Sequence, residues 1–134
     1  MIHLDTSFLV DLLREASKDL AGPASRFLDA ARDEELRLSV FVACELAAGA
    51  ELSSRPAEEK RKVERLCASL AIDYPDERFC GAYGSLLAIQ ERRRGRISTM
   101  DLLIATSALV AGASLVTRNE KDFARVPGLD VLIY

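Results

Sequence analysis

The sequence predicts an α/β domain with a mostly parallel central sheet and helices on both faces. Three observations carry this. Short apolar runs of strand length alternate along the chain with longer segments of helical periodicity. Gly, Pro and small polar residues punctuate the alternation. Asp5 and the segment after Thr117 fall where strands end, the edge of such a sheet at which active sites gather.

The elements follow in order. Met1 to Leu4 is a short apolar run ending at Asp5 and reads as a first buried strand. Asp5, Thr6 or Ser7 then caps a helix running through Phe8, Leu9, Leu12 and Leu13. After the Gly22-Pro23 break, Ala24 to Arg32 reads as a second helix with Phe27, Leu28 and Ala31 on one face. Leu36, Leu38 and Val40 alternate with polar neighbours, as a strand does, and a mostly apolar helix carrying Glu45 follows from about Val42 to Leu52. Pro56 opens a charged helix in which Val63, Leu66, Cys67 and Leu70 recur at helical spacing. Ala71 to Tyr74 suits a short strand before Pro75, and Asp76 to Arg94 a long helix ending at Gly95. Ser98 or Thr99 caps the next helix, which Gly112 terminates, and Leu115–Thr117 and Val131–Tyr134 read as two final strands.

The chain has 134 residues, read as a single domain over 1–134, with 49% hydrophobic content for a core and 29% charge. Its net charge of −3 is opposite in sign to the basic footprint of a non-specific nucleic-acid binder, although a few carboxylates around a metal supply that whole imbalance. The three cysteines, Cys44, Cys67 and Cys80, form no CxxC pair and are expected to be buried, reduced thiols. Asp5 interrupts the apolar start, which has no basic n-region, and the uncharged stretch Leu102 to Thr117 is shorter than the roughly 20 residues of a membrane span. A cytoplasmic protein without membrane association is therefore expected.

Four segments set an acid beside apolar residues: Asp5, Glu45, Asp101, and the run from Thr117 to Phe123. Glu45 has no Lys or Arg at i±3 or i±4, so its burial costs several kcal/mol unless something else pairs with it. A tertiary ion pair or a water-facing helix turn is the competing structural explanation. Asp101 follows Ser98 as in a capping box, and Asp5 suits an N-cap, so each has a purely structural reading as well. As a set they acquire a chemical one. Carboxylates about 5 Å apart repel by roughly 3 kcal/mol per pair at an effective dielectric of about 20, which a divalent cation at their centre relieves. An all-oxygen site suits Mg²⁺ or Mn²⁺, and such an ion activates water for attack on a phosphodiester.

In these segments the chain resembles the PIN-domain family, and more narrowly the VapC toxins of toxin–antitoxin pairs. The resemblance is carried by Ile2-His3-Leu4-Asp5-Thr6-Ser7, by Glu45 on its helix, and by Asp101-Leu102-Leu103-Ile104-Ala105. It continues through Val116-Thr117-Arg118-Asn119-Glu120-Lys121-Asp122-Phe123 and Pro127-Gly128-Leu129. It implies a three-layer α/β/α sandwich and an Mg²⁺- or Mn²⁺-dependent endoribonuclease, with Asp5, Glu45 and Asp101 as catalytic, metal-binding acids. Where the family often has a fourth acid, this chain has Asn119, with Asp122 three residues on. Either Asn119 binds metal through water or orients Asp101, or Asp122 contributes instead. Thr6 and Thr117 are implied to hold the carboxylates by hydrogen bonds. The resemblance also implies an RNA substrate (transfer or ribosomal RNA), a cognate VapB-type antitoxin and a homodimer.

Arg92, Arg93, Arg94 and Arg96 form the densest basic cluster, which either grips RNA phosphates or is a solvated helix end. Arg118 and Lys121, beside the expected site, are stronger phosphate-contact candidates, and Arg93 a weaker one. His3, the single histidine, reads as structural. No phosphate-binding glycine loop and no nucleophile elbow occurs, and Ser7 stands where an aspartyl phosphatase wants a second acid. A receiver-like signalling domain lacks its acidic pair. The competing reading is a catalytically silent PIN-like module that binds RNA or protein.

Overall fold

A computed structural model describes residues 1–93 and 97–134. Five strands, β1 (Ile2–Leu4), β2 (Leu36–Ser39), β3 (Ala71–Asp73), β4 (Ser114–Val116) and β5 (Val131–Leu132), form one sheet in the order β3-β2-β1-β4-β5. Every pairing is parallel, with Ile2 opposite both Leu36 and Ser114, so β1 is central. Helices flank the sheet: α1 (Thr6–Ser17), α2 (Pro23–Ala30), α3 (Val40–Leu52), α4 (Pro56–Ser69), α5 (Phe79–Arg92), α6 (Thr99–Ala111) and the short α7 (Glu120–Phe123).

The chain steps one way from β1 through β2 to β3, then crosses back to β4 and on to β5. Right-handed crossovers put helices from the two directions on opposite faces. The direction therefore switches between β1 and β4, and a crevice opens outside their carboxyl ends. Asp5 and Thr117 are the residues that leave those two strands.

Buried on both faces, β1 has no polar alternation: Ile2, His3 and Leu4 are all buried. Leu4, Phe8, Leu9, Leu38, Ile104, Leu115 and Phe123, each no more than 1% exposed, form the centre of the core. Each such side chain contributes on the order of 1.5–3 kcal/mol through burial. The hydroxyls of Thr106 and Ser107, buried within α6, donate to the carbonyls of Leu102 and Leu103 one turn back, which satisfies them without a tertiary partner. His3 donates or accepts through Nε2 at 2.7 Å from Asp73, which Arg37 also holds, so this histidine belongs to a polar clasp across β1, β2 and β3. Burial pushes its pKa down, against the pull of Asp73.

Several boundaries differ from the sequence expectation. The third helix starts at Val40, because Ser39 ends the strand and its hydroxyl accepts the Val42 N–H. The helix expected from Asp76 begins at Phe79, since Asp76 takes the Arg78 N–H and side chain in a turn. It ends at Arg92, and the expected stop at Gly95 lies outside the described residues, as do Arg94 and Arg96. Gly112 ends α6 in the left-handed region at φ +67°. The cysteines are a correction: all three are free, but Cys44 and Cys80 are exposed and only Cys67 is partly buried. Val42, Leu46 and Ala50 turn one side of α3 inward, and Cys44, two residues from Val42 and Leu46, falls on the other. An apolar helix need not be buried all round.

Candidate active site

Each acidic residue reaches the crevice on a different element. Asp5 leaves β1 and stands at the N-cap position of α1, yet its carboxylate makes no capping hydrogen bond. Instead Oδ2 accepts the Thr117 hydroxyl at 2.6 Å and the Ser7 hydroxyl at 3.0 Å. The plain capping reading of Asp5 therefore does not describe it. Asp5 is 4% exposed as a residue, and Oδ1 accepts no donor among the described residues. Oδ1 is not among the fully buried, unpartnered side-chain atoms, so it opens to the crevice.

Glu45 sits half-buried on α3, where Thr6 donates to Oε1 at 2.6 Å. It also lines an open groove of about 470 Å³ between α1, α3 and α4. Asp101 lies in the first turn of α6, where the Ser98 hydroxyl accepts its N–H at 3.1 Å. That hydrogen bond is half of a capping box, but it leaves the carboxyl among other acids. Burial pushes the Asp101 carboxyl above the usual range and the negative charge of Asp5 pushes it further. A hydrogen bond with Ser98 pulls it back, and the charges of Glu45 and Asp122 again raise it. Four acids from four parts of the chain thus share one electrostatic neighbourhood.

Asp122 is held by the segment it belongs to. The Asn119 side-chain amide donates to Asp122 Oδ2 at 3.0 Å, and the Asn119 backbone N–H donates to Thr117 Oγ1 at 2.9 Å. Asn119 is thus directed to Asp122 and not to Asp101. Among the described residues, no Lys, Arg or His forms an ion pair with Asp5, Glu45, Asp101 or Asp122. Nor do three His, Cys, Asp or Glu side chains among them close into a ready metal cage.

A PIN-domain family model matches residues 2–129. The chain belongs to the PIN-domain family. Ribonuclease VapC1 of Haemophilus influenzae is 31% identical to it over 126 residues, 94% of this chain and 92% of the relative. Ribonuclease VapC2 of Rickettsia felis is 31% identical over 99 residues, 74% of each. Among solved structures, VapBC2 from Rickettsia felis, bound to a DNA fragment from its promoter, superposes with a TM-score of 0.87 at 27% identity, covering 100% of this chain and 99% of that one. VapBC-1 from nontypeable Haemophilus influenzae gives 0.83 at 27% identity, covering 99% and 98%.

The basic candidates of this PIN domain take three different positions. Arg118, directly after Thr117, reaches back to α1, where Nη1 meets both carboxylate oxygens of Asp11 at 2.9 Å. Lys121 stands exposed on α7, and Arg93 is exposed where α5 ends. The sequence reading gave Ser7 a place as a helix cap but not in the site, and did not single out Asp11. The signal for them was weak but present: two polar side chains one turn apart on an otherwise apolar helix start. Among the described residues, no helix is long and apolar enough to cross a membrane.

Proposed function

We propose that this PIN domain is an endoribonuclease toxin. It hydrolyses phosphodiester bonds in structured RNA, transfer or ribosomal RNA, with Mg²⁺ or Mn²⁺ held by Asp5, Glu45 and Asp101, and a VapB-type antitoxin neutralises it. The observation that carries the reading is the meeting of four carboxylates that no described cation neutralises. The donor set fits a hard divalent ion. It is all oxygen, and the hydroxyls of Thr6, Ser7 and Thr117 each hold one carboxylate oxygen, so the other is left for a ligand. Mg²⁺ and Mn²⁺ both favour such oxygen donors, and Mg²⁺ keeps several of its waters.

When bound, such an ion supplies charge neutralisation and a Lewis acid to a phosphodiester. The chain's own residues supply position. Thr117 and Ser7 orient Asp5, Thr6 orients Glu45, and Asn119 orients Asp122. The N-terminal ends of α1 and α6 place positive dipole ends beside Asp5 and Asp101 and favour a phosphate there. The names of the ribonuclease relatives support RNA as substrate, and the solved VapBC assemblies support an antitoxin partner. A homodimer belongs to the same proposal, and the exposed Cys44 on α3 and Cys80 and Leu87 on α5 are apolar positions available to it.

The test is incubation of purified, antitoxin-free protein with total cellular RNA and Mg²⁺ or Mn²⁺, beside EDTA controls and the variants Asp5→Asn and Asp101→Asn. The expected result is discrete fragments from the unaltered chain, with none in EDTA and a loss of at least about 100-fold in either variant, the scale set by removing a metal's charge stabilisation. Full cleavage by folded Asp101→Asn would remove the acidic set from the mechanism. No cleavage by a chain shown to bind the ion would favour the silent binding module.

A further inference from the structure

Asp11 lies one turn beyond Ser7 on α1, and three groups converge on its carboxylate. Arg118 Nη1 meets both of its oxygens at 2.9 Å, the Tyr134 hydroxyl donates to Oδ2 at 2.7 Å, and Arg14 approaches Oδ1 at 3.5 Å. The Asp11 side chain is 15% exposed, whereas that of Arg118 is 61% exposed. Tyr134 is itself fixed, its ring edge-on to Phe8 at 4.9 Å. Burial and the hydrogen bond to Asp11 push its phenol well above the usual range, so it remains a donor.

The same arginine is tied to the acidic site through its backbone. Arg118 N–H donates to Ser7 Oγ at 3.1 Å, and Ser7 donates to Asp5 Oδ2 at 3.0 Å. Both ends of Arg118 are thus clipped to α1, the backbone at Ser7 and the guanidinium at Asp11. Among the described residues the guanidinium donates only through Nη1, so its Nε–Nη2 edge is open. That edge has the fork geometry that takes a phosphate through two parallel hydrogen bonds. A mobile arginine loses rotamer freedom when it binds, and one already held loses less.

We propose that Asp11 is a positioning residue: together with Tyr134 it holds the Arg118 guanidinium at the lip of the acidic site with one edge open for an RNA phosphate. This rests on the ribonuclease reading and deepens it. It also predicts a sign that simple charge counting does not. Removing a negative charge from a chain of net charge −3 should tighten RNA binding. If Asp11 positions Arg118, removing it weakens binding.

The experiment measures affinity for a fluorescent transfer-RNA pool over a salt series, in the full chain carrying Asp101→Asn so that the probe stays intact. Arg118→Ala is expected to weaken binding about tenfold and to lower the salt slope by about one phosphate contact. Asp11→Asn is expected to weaken it about threefold to tenfold, the scale of one well-oriented ion pair. The double variant should match Arg118→Ala alone. A purely structural role for Asp11 would lower the urea midpoint and add to the Arg118 effect. Tyr134→Phe, which keeps the ring on Phe8, gives a second reading if Asp11→Asn does not fold: a smaller loss, absent once Arg118 is alanine. Additive losses, or binding by Asp11→Asn equal to or tighter than the parent, would overturn the proposal. If the chain with Asp101 restored cleaves RNA in Mg²⁺ or Mn²⁺ while this coupling is absent, only the positioning role fails. If it neither binds nor cleaves RNA, the ribonuclease reading fails first.

Discussion

Thr117 Oγ1 meets Asp5, Ser7 and Asn119 at once. Its buried hydroxyl donates to Asp5 and accepts the Asn119 N–H, so one oxygen joins the end of β1 to the loop after β4. Thr117→Val keeps the shape but leaves the Asn119 N–H unpaired and Asp5 Oδ2 with the Ser7 hydroxyl alone, and an unpaired buried polar group costs about 1–3 kcal/mol. We expect urea denaturation to show a loss of that size and RNA cleavage to fall with it, while Thr117→Ser stays near the parent. A valine variant of unchanged stability would show that the hydroxyl holds nothing. The residue scale is also where sequence reading is most limited. An acid at the end of a first strand was legible at position 5, but an N-cap and a carboxylate turned inward require the same residue at the same place. The partner that separates them, Thr117, lies 112 positions away. Nor does the sequence show that the Asn119 side chain donates to Asp122, three residues on.

Elements show a second kind of hidden partner. Helix α2 begins at Pro23 after Gly22, whose lack of a side chain leaves the helix start without its own cap. Glu15, at the end of α1, supplies it by accepting the Gly22, Ala24 and Ser25 N–H groups and the Ser25 hydroxyl at 2.7–3.0 Å. A side chain at Gly22 would run into that carboxylate, which explains the glycine. Periodicity announced α2 but not its cap, because the capping residue belongs to another helix. It also passed over α7, four residues being too short to show a period. Desolvation raises the Glu15 pKa, but the hydrogen bonds from Ser25, Ala24 and Gly22 outweigh it and hold the group below 4.5. A depressed carboxyl favours the folded state. Its contribution is complete above pH 4.5 and is lost as pH falls through the folded value. Glu15→Gln should therefore lower the thermal midpoint at neutral pH and flatten the acid limb below pH 4.5. An acid limb like that of the parent would show that the cap is not linked to folding.

At the scale of the whole molecule, the all-parallel sheet is what brings four separate acids into one electrostatic neighbourhood. The switch of direction between β1 and β4 brings Asp5 and Thr117 side by side, and α3 and α6 bring in Glu45 and Asp101. The alternation of strands and helices made this class of sheet legible in the sequence; the strand order is a matter of tertiary pairing and was not legible. Bringing the acids together has a thermodynamic consequence that needs no RNA to observe. The Asp101 carboxyl is raised by burial and by its acidic neighbours, so its ionised form opposes folding in the metal-free chain, and the stability it contributes when protonated is lost as pH rises through its folded value. Asp101→Asn removes that charge and should raise the thermal midpoint of metal-free protein at neutral pH. A divalent ion that binds only the folded chain stabilises it by about 2.7 kcal/mol at 100 times its dissociation constant. Adding Mn²⁺ to the unaltered chain should therefore raise the midpoint by several degrees, and EDTA should reverse the rise. The two effects oppose each other across one substitution: Asp101→Asn starts higher and gains little from Mn²⁺, and the unaltered chain starts lower and gains most. Equal gains in both proteins would place the ion elsewhere, and no gain in either would leave the cluster without the cation that its repulsion calls for.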